Sequence, residues 1–254
     1  MSPSSFINHY VENKVGYIIL NRPECKNAIT TDMWRCLPDL LDLMCRNGAQ
    51  VIVLQGAAGA FAAGADLVEL EALRTYQEAE DNWSAISNAL MAVAECAVPT
   101  IAAIDGACIG GGCLLAVACD LRYASERSLF GVPVVKLGIV LDDVTIARVV
   151  ALVGLANARE LLLRGHVVSA ARALECGLIN ACLLDSTQLG AHVNLVVNDL
   201  LENSLRSMEA ARNSLARVSG LNAFPSMEDP ALVIESYLSA DFKERVARAL
   251  GKRA

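Results

Sequence analysis

Gly110, Gly111 and Gly112 stand in a row between two apolar runs, a short strand-like one over residues 100–104 and a helix-like one over 114–119. Three residues without a Cβ at a strand-to-helix turn leave backbone amides open to close approach, beside the positive end of the helix. Such a turn can hold a phosphate or a developing oxyanion. A second small-residue loop, Phe61-Ala62-Ala63-Gly64-Ala65-Asp66-Leu67, also lies between a strand-like and a helix-like stretch. Either loop alone is accounted for by turn chemistry. Two of them, one after each βα turn, can aim one N–H each at the same oxygen, which is an oxyanion hole.

The rest of the chain has a βα rhythm. Residues 6–10 and 16–20 read as a hairpin across the polar turn Glu12-Asn13-Lys14. Thr30 or Thr31 caps a helix running to about Arg46, with Met33, Leu37, Leu40, Leu41 and Met44 at helical spacing. Short strands are expected at 51–54, 100–104, 120–124 and 178–183, and helices from 65, over 79–95, over 144–152 and 157–163 around Gly154, and over 170–176 behind Ser169. Beyond about residue 190 only helical patterns remain, over 193–215 and 230–250, with a break at 220–225. Strands alternating with helices and then helices alone describe an α/β core (1–190) with a C-terminal helical segment (191–254).

Composition removes several functional classes. A net charge of −7 argues against nucleic acid as an electrostatic partner. The hydrophobic content of 54% implies a large core or subunit interfaces, yet the apolar stretch at 106–119 is too short to span a bilayer. The first residues, Met-Ser-Pro-Ser-Ser-Phe, show no export signal. The nine cysteines form no C-x-x-C pair and are expected to be small buried hydrophobes in a reducing cytoplasm. Neither they nor the three scattered histidines suggest a metal site, and no permanently bound cofactor is expected. The glycines do not follow the G-x-G-x-x-G spacing of a dinucleotide site, and no G-x-S-x-G elbow is present. Ser125 and Ser128 lack any histidine between His9 and His166 to serve them. His166 reads as a surface turn residue, and Trp34 and Trp83 read as core or interface residues.

These pieces resemble, in order and over nearly the whole chain, the crotonase superfamily of enoyl-CoA hydratases and isomerases. The matching stretches are Leu20-Asn21-Arg22-Pro23 with Asn27-Ala28, the 61–67 loop, Pro99 to Gly106 leading into the glycine triplet, Cys119-Asp120-Leu121-Arg122, Phe130-Gly131-Val132-Pro133, Leu137-Gly138-Ile139 and the 173–178 segment. The resemblance implies a spiral of ββα units, with the C-terminal helices building a homotrimer or a dimer of trimers. It implies that the amides of Ala65 and Gly111 form an oxyanion hole for a thioester carbonyl. Ala28, Ala63, Asp66 and Leu67 would line the path of coenzyme A, which enters as part of the substrate or ligand. Lys26 and Lys252 would reach its phosphates, unless they are simply solvated charges.

The departures from the family pattern carry as much information. Hydratases of the family place glutamates where this chain has Leu114 and Val134, and neither aliphatic side chain can transfer the protons that hydration requires. The family's Pro-Gly-Ala-Gly-Gly loop is replaced by Leu141-Asp142-Asp143-Val144-Thr145. Asp142 and Asp143 are therefore the candidate acid/base groups for isomerisation, decarboxylation or thioester hydrolysis, although either one can also cap the helix that follows. The alternatives are an acyl-CoA binding or carrier protein without turnover, favoured by the more apolar pocket, and a weak enoyl-CoA hydratase.

Overall fold

The computed structural model describes residues 5–219 and 230–251. Strands β1 (Ile7–Glu12) and β2 (Val15–Leu20) pair antiparallel, with Glu12 opposite Val15. The turn is thus only Asn13 and Lys14, tighter than the sequence suggests. Their φ values of 48° and 66° are the left-handed pair that a two-residue hairpin turn demands. Helix α1 (Thr31–Arg46) follows, with the Met33 amide donating to the Thr30 hydroxyl at 3.2 Å. Strand β3 (Val51–Gly56) leads into the 61–67 loop, α2 (Leu67–Ala72) and α3 (Tyr76–Ala94).

Two ββα units come next. In the first, β4 (Thr100–Ile104) and β5 (Ala107–Ile109) precede α4 (Gly111–Ala118). In the second, β6 (Leu121–Ser125) and β7 (Leu129–Gly131) precede α5 (Asp143–Arg164). Within each unit the two strands enter different sheets. The large sheet has the order β1-β2-β3-β4-β6-β9, where β9 is Ala181–Leu183, and is parallel beyond β2. The small sheet is β5-β7-β8, where β8 is Val168–Ser169. An isolated parallel bridge from Ala62 to Cys108 brings the first loop alongside that small sheet. The fold class is the α/β spiral that the motif order implied. Strands β5, β7 and β8 escaped the sequence pattern because each has three residues or fewer, too short to establish a period.

Each face of the large sheet carries its own core. Ile52 and Leu54 of β3 point toward Trp34, Leu37 and Met44 of α1, whereas Val51 and Val53 meet Leu189, Val193 and Val197 of α7 (Ser186–Glu202). That alternation is the period-two signature of a strand covered on both sides. Helix α6 (Ala170–Glu175) is capped by Ser169 as expected, and α5 has its break at Gly154 (φ 71°, ψ 161°). The strand expected at 178–183 shrinks to β9 (Ala181–Leu183). The amides of Leu178 and Ile179 instead turn back to the Ala173 carbonyl, at 2.8 and 3.3 Å.

Beyond β9 the described residues are helical. The two long helices expected there are each interrupted by a serine cap: Ser204 separates α7 from α8 (Leu205–Val218), and Ser239 separates α9 (Ala231–Leu238) from α10 (Ala240–Ala249). The break expected at 220–225 lies outside the described residues. Helices α9 and α10 fold back over α2 and α3, where Val233, Ile234, Tyr237, Phe242 and Val246 bury against Leu70 and Ala79. Among the described residues no helix is long and apolar enough to cross a membrane.

Of the nine thiols, Cys36, Cys96, Cys108, Cys113 and Cys119 are buried, as the composition suggested; the other four are half-buried. The hydrogen bond shared with Cys96 pulls the Cys45 thiol down to about 7, so this pair is more polar than the sequence alone implied.

Helix α4 packs with no clearance against the first loop. A Cβ on Gly112 would lie 2.5 Å from the Ala62 carbonyl oxygen and 2.6 Å from its Cβ. Gly112→Ala is expected to lower stability by about 1–3 kcal/mol, the range for overpacking a tight interior. In urea denaturation this appears as a lower midpoint at unchanged slope.

Candidate functional site

Two loops build the site, and each is fixed by backbone hydrogen bonds. In the first, the Ala63 amide donates to the Lys26 carbonyl at 2.9 Å, the Ile29 amide to Gly64 at 2.7 Å, and the Asp66 amide to Ile29 at 3.0 Å. The Asn27 side chain is fully buried beneath this loop. Its amide donates to the carbonyls of Ala57 and Ala60 at 2.9 and 2.7 Å, and its oxygen accepts from the Arg22 amide at 2.8 Å. The second loop turns at Gly110 (φ 53°, ψ −124°), which donates its amide to Gly131 at 2.8 Å and opens α4. Only a residue without Cβ adopts that conformation at little cost.

The loops meet backbone to backbone. A Cβ on Gly64 would lie 3.4 Å from the Gly111 nitrogen, and one on Gly111 would lie 3.4 Å from the Ala65 nitrogen. Among the described residues neither the Ala65 amide nor the Gly111 amide has an acceptor. Gly111 is also the first residue of α4, where amides have no partner within the helix and the dipole favours negative charge. Two free donors side by side in this position can stabilise an oxyanion.

Both amides open into a cavity of about 470 Å³. Its wall is mainly aliphatic, including Leu67, Leu114, Val134, Ile139 and Leu141. Asp142 is its one carboxylate among the described residues, and the charged residues otherwise lining it are Lys136, Arg245 and Arg248. The Asp142 side chain caps α5: the Thr145 amide donates to Oδ1 at 2.7 Å and the Thr145 hydroxyl to Oδ2 at 3.0 Å. Asp142 thus combines the two roles that its sequence left open, cap and cavity carboxylate. Asp143 is exposed and does not line the cavity, because as the first helical residue it points to solvent.

The remaining sequence candidates divide by position. Ala63, Ala65, Leu67, Gly111, Leu114 and Val134 converge on the cavity. Lys26 and Ala28 do not line it; they hold the first loop through their backbones, Ala28 by accepting from Arg22 at 2.8 Å. Asp66 is spent on structure: it accepts from Val68 at 2.9 Å as the cap of α2 and pairs with Arg22 at 2.8 Å. The Asp66 carboxylate helps to keep the Arg22 guanidinium protonated despite its burial. Lys252 lies outside the described residues.

Trp34 is fully buried core, with its ring 3.1 Å from where a Gly111 Cβ would be. Trp83, expected in the same role, lines the cavity. Ser125 donates to Asp105 at 2.6 Å and Ser128 to the Ile104 carbonyl at 3.0 Å, and neither lines the cavity. His166 is half-buried, 3.9 Å from Glu160. The sequence reading missed Trp83, Thr145 and Tyr237 as cavity residues. Tyr237 comes from a helix remote in sequence, and no local pattern marks it.

The family described as enoyl-CoA hydratase/isomerase matches residues 10–252. The chain belongs to this family. A peroxisomal Δ(3,5)-Δ(2,4)-dienoyl-CoA isomerase of Arabidopsis thaliana is 31% identical, over 97% of this chain and 94% of that protein. The crystal structure of an enoyl-CoA hydratase/isomerase from Xanthobacter autotrophicus Py2 is 30% identical with a TM-score of 0.86, covering 97% of this chain and 94% of the other. A methylmalonyl-CoA decarboxylase, at 22% identity, shares the fold with a TM-score of 0.82 over 99% of this chain and 97% of its own.

In this family member the first loop rests on Asn27, whose φ of 56° an alanine would adopt only under strain. Asn27→Ala removes three hydrogen bonds and leaves buried carbonyls unpaired. It is expected to cost about 3 kcal/mol, read as a drop in urea midpoint.

Proposed function

We propose that the protein is an acyl-CoA isomerase that moves a double bond along an enoyl- or dienoyl-CoA thioester, with Asp142 as the group that carries the proton. The observation that supports this is Asp142, the one carboxylate that lines the mainly aliphatic cavity among the described residues, beside two amides that have no acceptor among those residues. The thioester oxygen accepts from the Ala65 and Gly111 amides. Removal of a proton from the carbon next to the carbonyl sends charge to that oxygen, where the two donors and the α4 dipole stabilise it. Returning a proton farther along the conjugated system completes the shift. Unlike hydration, this sequence needs no bound water and no second carboxylate. In the position-by-position resemblance to hydratases, Leu114 and Val134 stand in place of both glutamates, which favours isomerisation over water addition. The dienoyl-CoA isomerase named above points the same way.

A second reading, acyl-CoA binding without turnover, is favoured by the engagement of both Asp142 oxygens with Thr145. One variant separates the two. Asp142→Asn keeps a good helix cap but cannot take up a proton. It is expected to leave the melting temperature and CoA-thioester affinity nearly unchanged, while isomerisation of a 3-enoyl- or 3,5-dienoyl-CoA falls by about 10²-fold or more. Asp143→Asn should not alter the rate. If the wild-type protein returns every thioester intact by mass spectrometry, isomerisation is excluded and the binding reading stands.

We further propose that the chain assembles as a trimer or a dimer of trimers. Leu195, Leu215 and Val218 are 64%, 68% and 86% exposed on α7 and α8, an apolar surface consistent with self-association. Light scattering on the purified protein should give three or six times the 27.0 kDa chain mass; a monomer would contradict the assembly.

A further inference from the structure

The C-terminal helix α9 brings a second proton-bearing group to the cavity. Tyr237 lines it together with Asp142 and is only 5% exposed. Its ring is set edge-on against Phe242, with centroids 5.7 Å apart. Helix α9 is also joined to the segment that carries Asp142. The Val140 amide donates to the Ser236 hydroxyl at 3.2 Å, and that hydroxyl donates to the Val233 carbonyl at 2.7 Å. Two residues before Val140, a Cβ on Gly138 would lie 2.7 Å from the Asp241 carboxylate, so the turn fits closely against the α9–α10 junction. Asp142 and Tyr237 are therefore held by two elements that are fastened together, although they are far apart in the chain.

Resting on the isomerase reading, we propose that Tyr237 is a catalytic residue, the acid that delivers a proton to the distal carbon of the acyl chain while Asp142 acts as the base at the carbon next to the thioester. The Asp142 carboxylate takes a proton as the carbon–hydrogen electron pair enters the conjugated system, and negative charge collects on the thioester oxygen at Ala65 and Gly111. The Tyr237 hydroxyl then gives its proton to the distal carbon, and the electron pair returns from the oxygen to form the conjugated product. Protonated Asp142 finally passes its proton to the Tyr237 phenolate. Both groups are restored, and no proton is gained or lost.

The electrostatics suit this order. Burial, with the Asp142 charge added to it, pushes the Tyr237 phenol well above its ordinary value, so the hydroxyl keeps its proton while Asp142 is ionised. When Asp142 takes up the substrate proton its charge is gone, and the opposition to ionising Tyr237 weakens at the moment when an acid is needed.

Tyr237→Phe tests the assignment, because it deletes one oxygen and retains the ring that packs on Phe242. The full-length protein is assayed with a 3,5-dienoyl-CoA and titrated with hexanoyl-CoA and with acetoacetyl-CoA, whose enolate is followed by its near-ultraviolet band. If Tyr237 is the acid, kcat falls at least about 30-fold with KM within about threefold, a loss in the range of general acid catalysis. Affinity for the acetoacetyl-CoA enolate falls at least about 10-fold, as expected for one charge-assisted hydrogen bond, and hexanoyl-CoA binding stays within about twofold. Wild-type kcat in the variant overturns the role of Tyr237 and leaves the isomerase reading intact. If the wild-type protein converts no dienoyl-CoA, the isomerase reading and the acid role both fail; a selective loss of enolate affinity in the variant would then show only that the hydroxyl faces the acyl chain. A parallel loss of hexanoyl-CoA affinity marks the hydroxyl as structural and also overturns the proposal.

Discussion

The close approach of two backbones at residues 62–65 and 108–112 is the constraint on which the rest of the structure depends. The Ala62 amide donates to Ala107 at 2.9 Å and its carbonyl accepts from Ile109 at 3.0 Å, so the first loop is stitched to the small sheet. With Ala62 fixed there, Gly112 admits no side chain, and Gly110 must take a conformation costly for any other residue. The result is a helix N-terminus set against a loop, with two amides between them that have no acceptor among the described residues. Buried donors without acceptors are costly in an ordinary core. Here the cavity beside them gives a ligand oxygen access, which is the arrangement expected where donors are preorganised for charge.

The walls of that cavity come from elements with different tasks. Helix α4 contributes Leu114, the turn after β7 contributes Val134, and the start of α5 contributes Asp142. The last wall, with Val233 and Tyr237, belongs to α9, which is held down by its own apolar contacts with α2 and α3. Closure of the cavity thus depends on the same burial that docks the C-terminal helices. The Arg122 motif, shared in sequence with the family, serves this scaffold rather than the chemistry: its guanidinium donates to the Leu178 carbonyl at 2.9 Å and is 4% exposed.

Much of this was legible in the residues. The α1 face of Met33, Leu37, Leu40, Leu41 and Met44, the Thr30 and Ser169 caps, the Gly154 break and the strand at Thr100–Ile104 follow from periodicity and capping chemistry that act within a few residues. The three short strands of the small sheet were not legible, because their pairing is supplied by neighbours far away in the chain. The helix interruptions at Ser204 and Ser239 were missed for a related reason. Apolar periodicity continues across each serine, and the serine's role as a cap emerges only when the chain changes direction.

The same division holds at the site. By itself the sequence determined the paired glycine loops, the aliphatic residues at 114 and 134, and two adjacent aspartates ahead of a helix, since residue type and local spacing define each of these. The tertiary structure alone decided which aspartate enters the cavity. One residue of helical rotation turns Asp142 inward as the cap and leaves Asp143 in solvent. It alone decided that Trp83 and Tyr237 share that space, because α3 and α9 meet only when the chain folds back on itself. Local chemistry is written in neighbouring residues, whereas a cavity exists only where distant segments fail to fill the space between them.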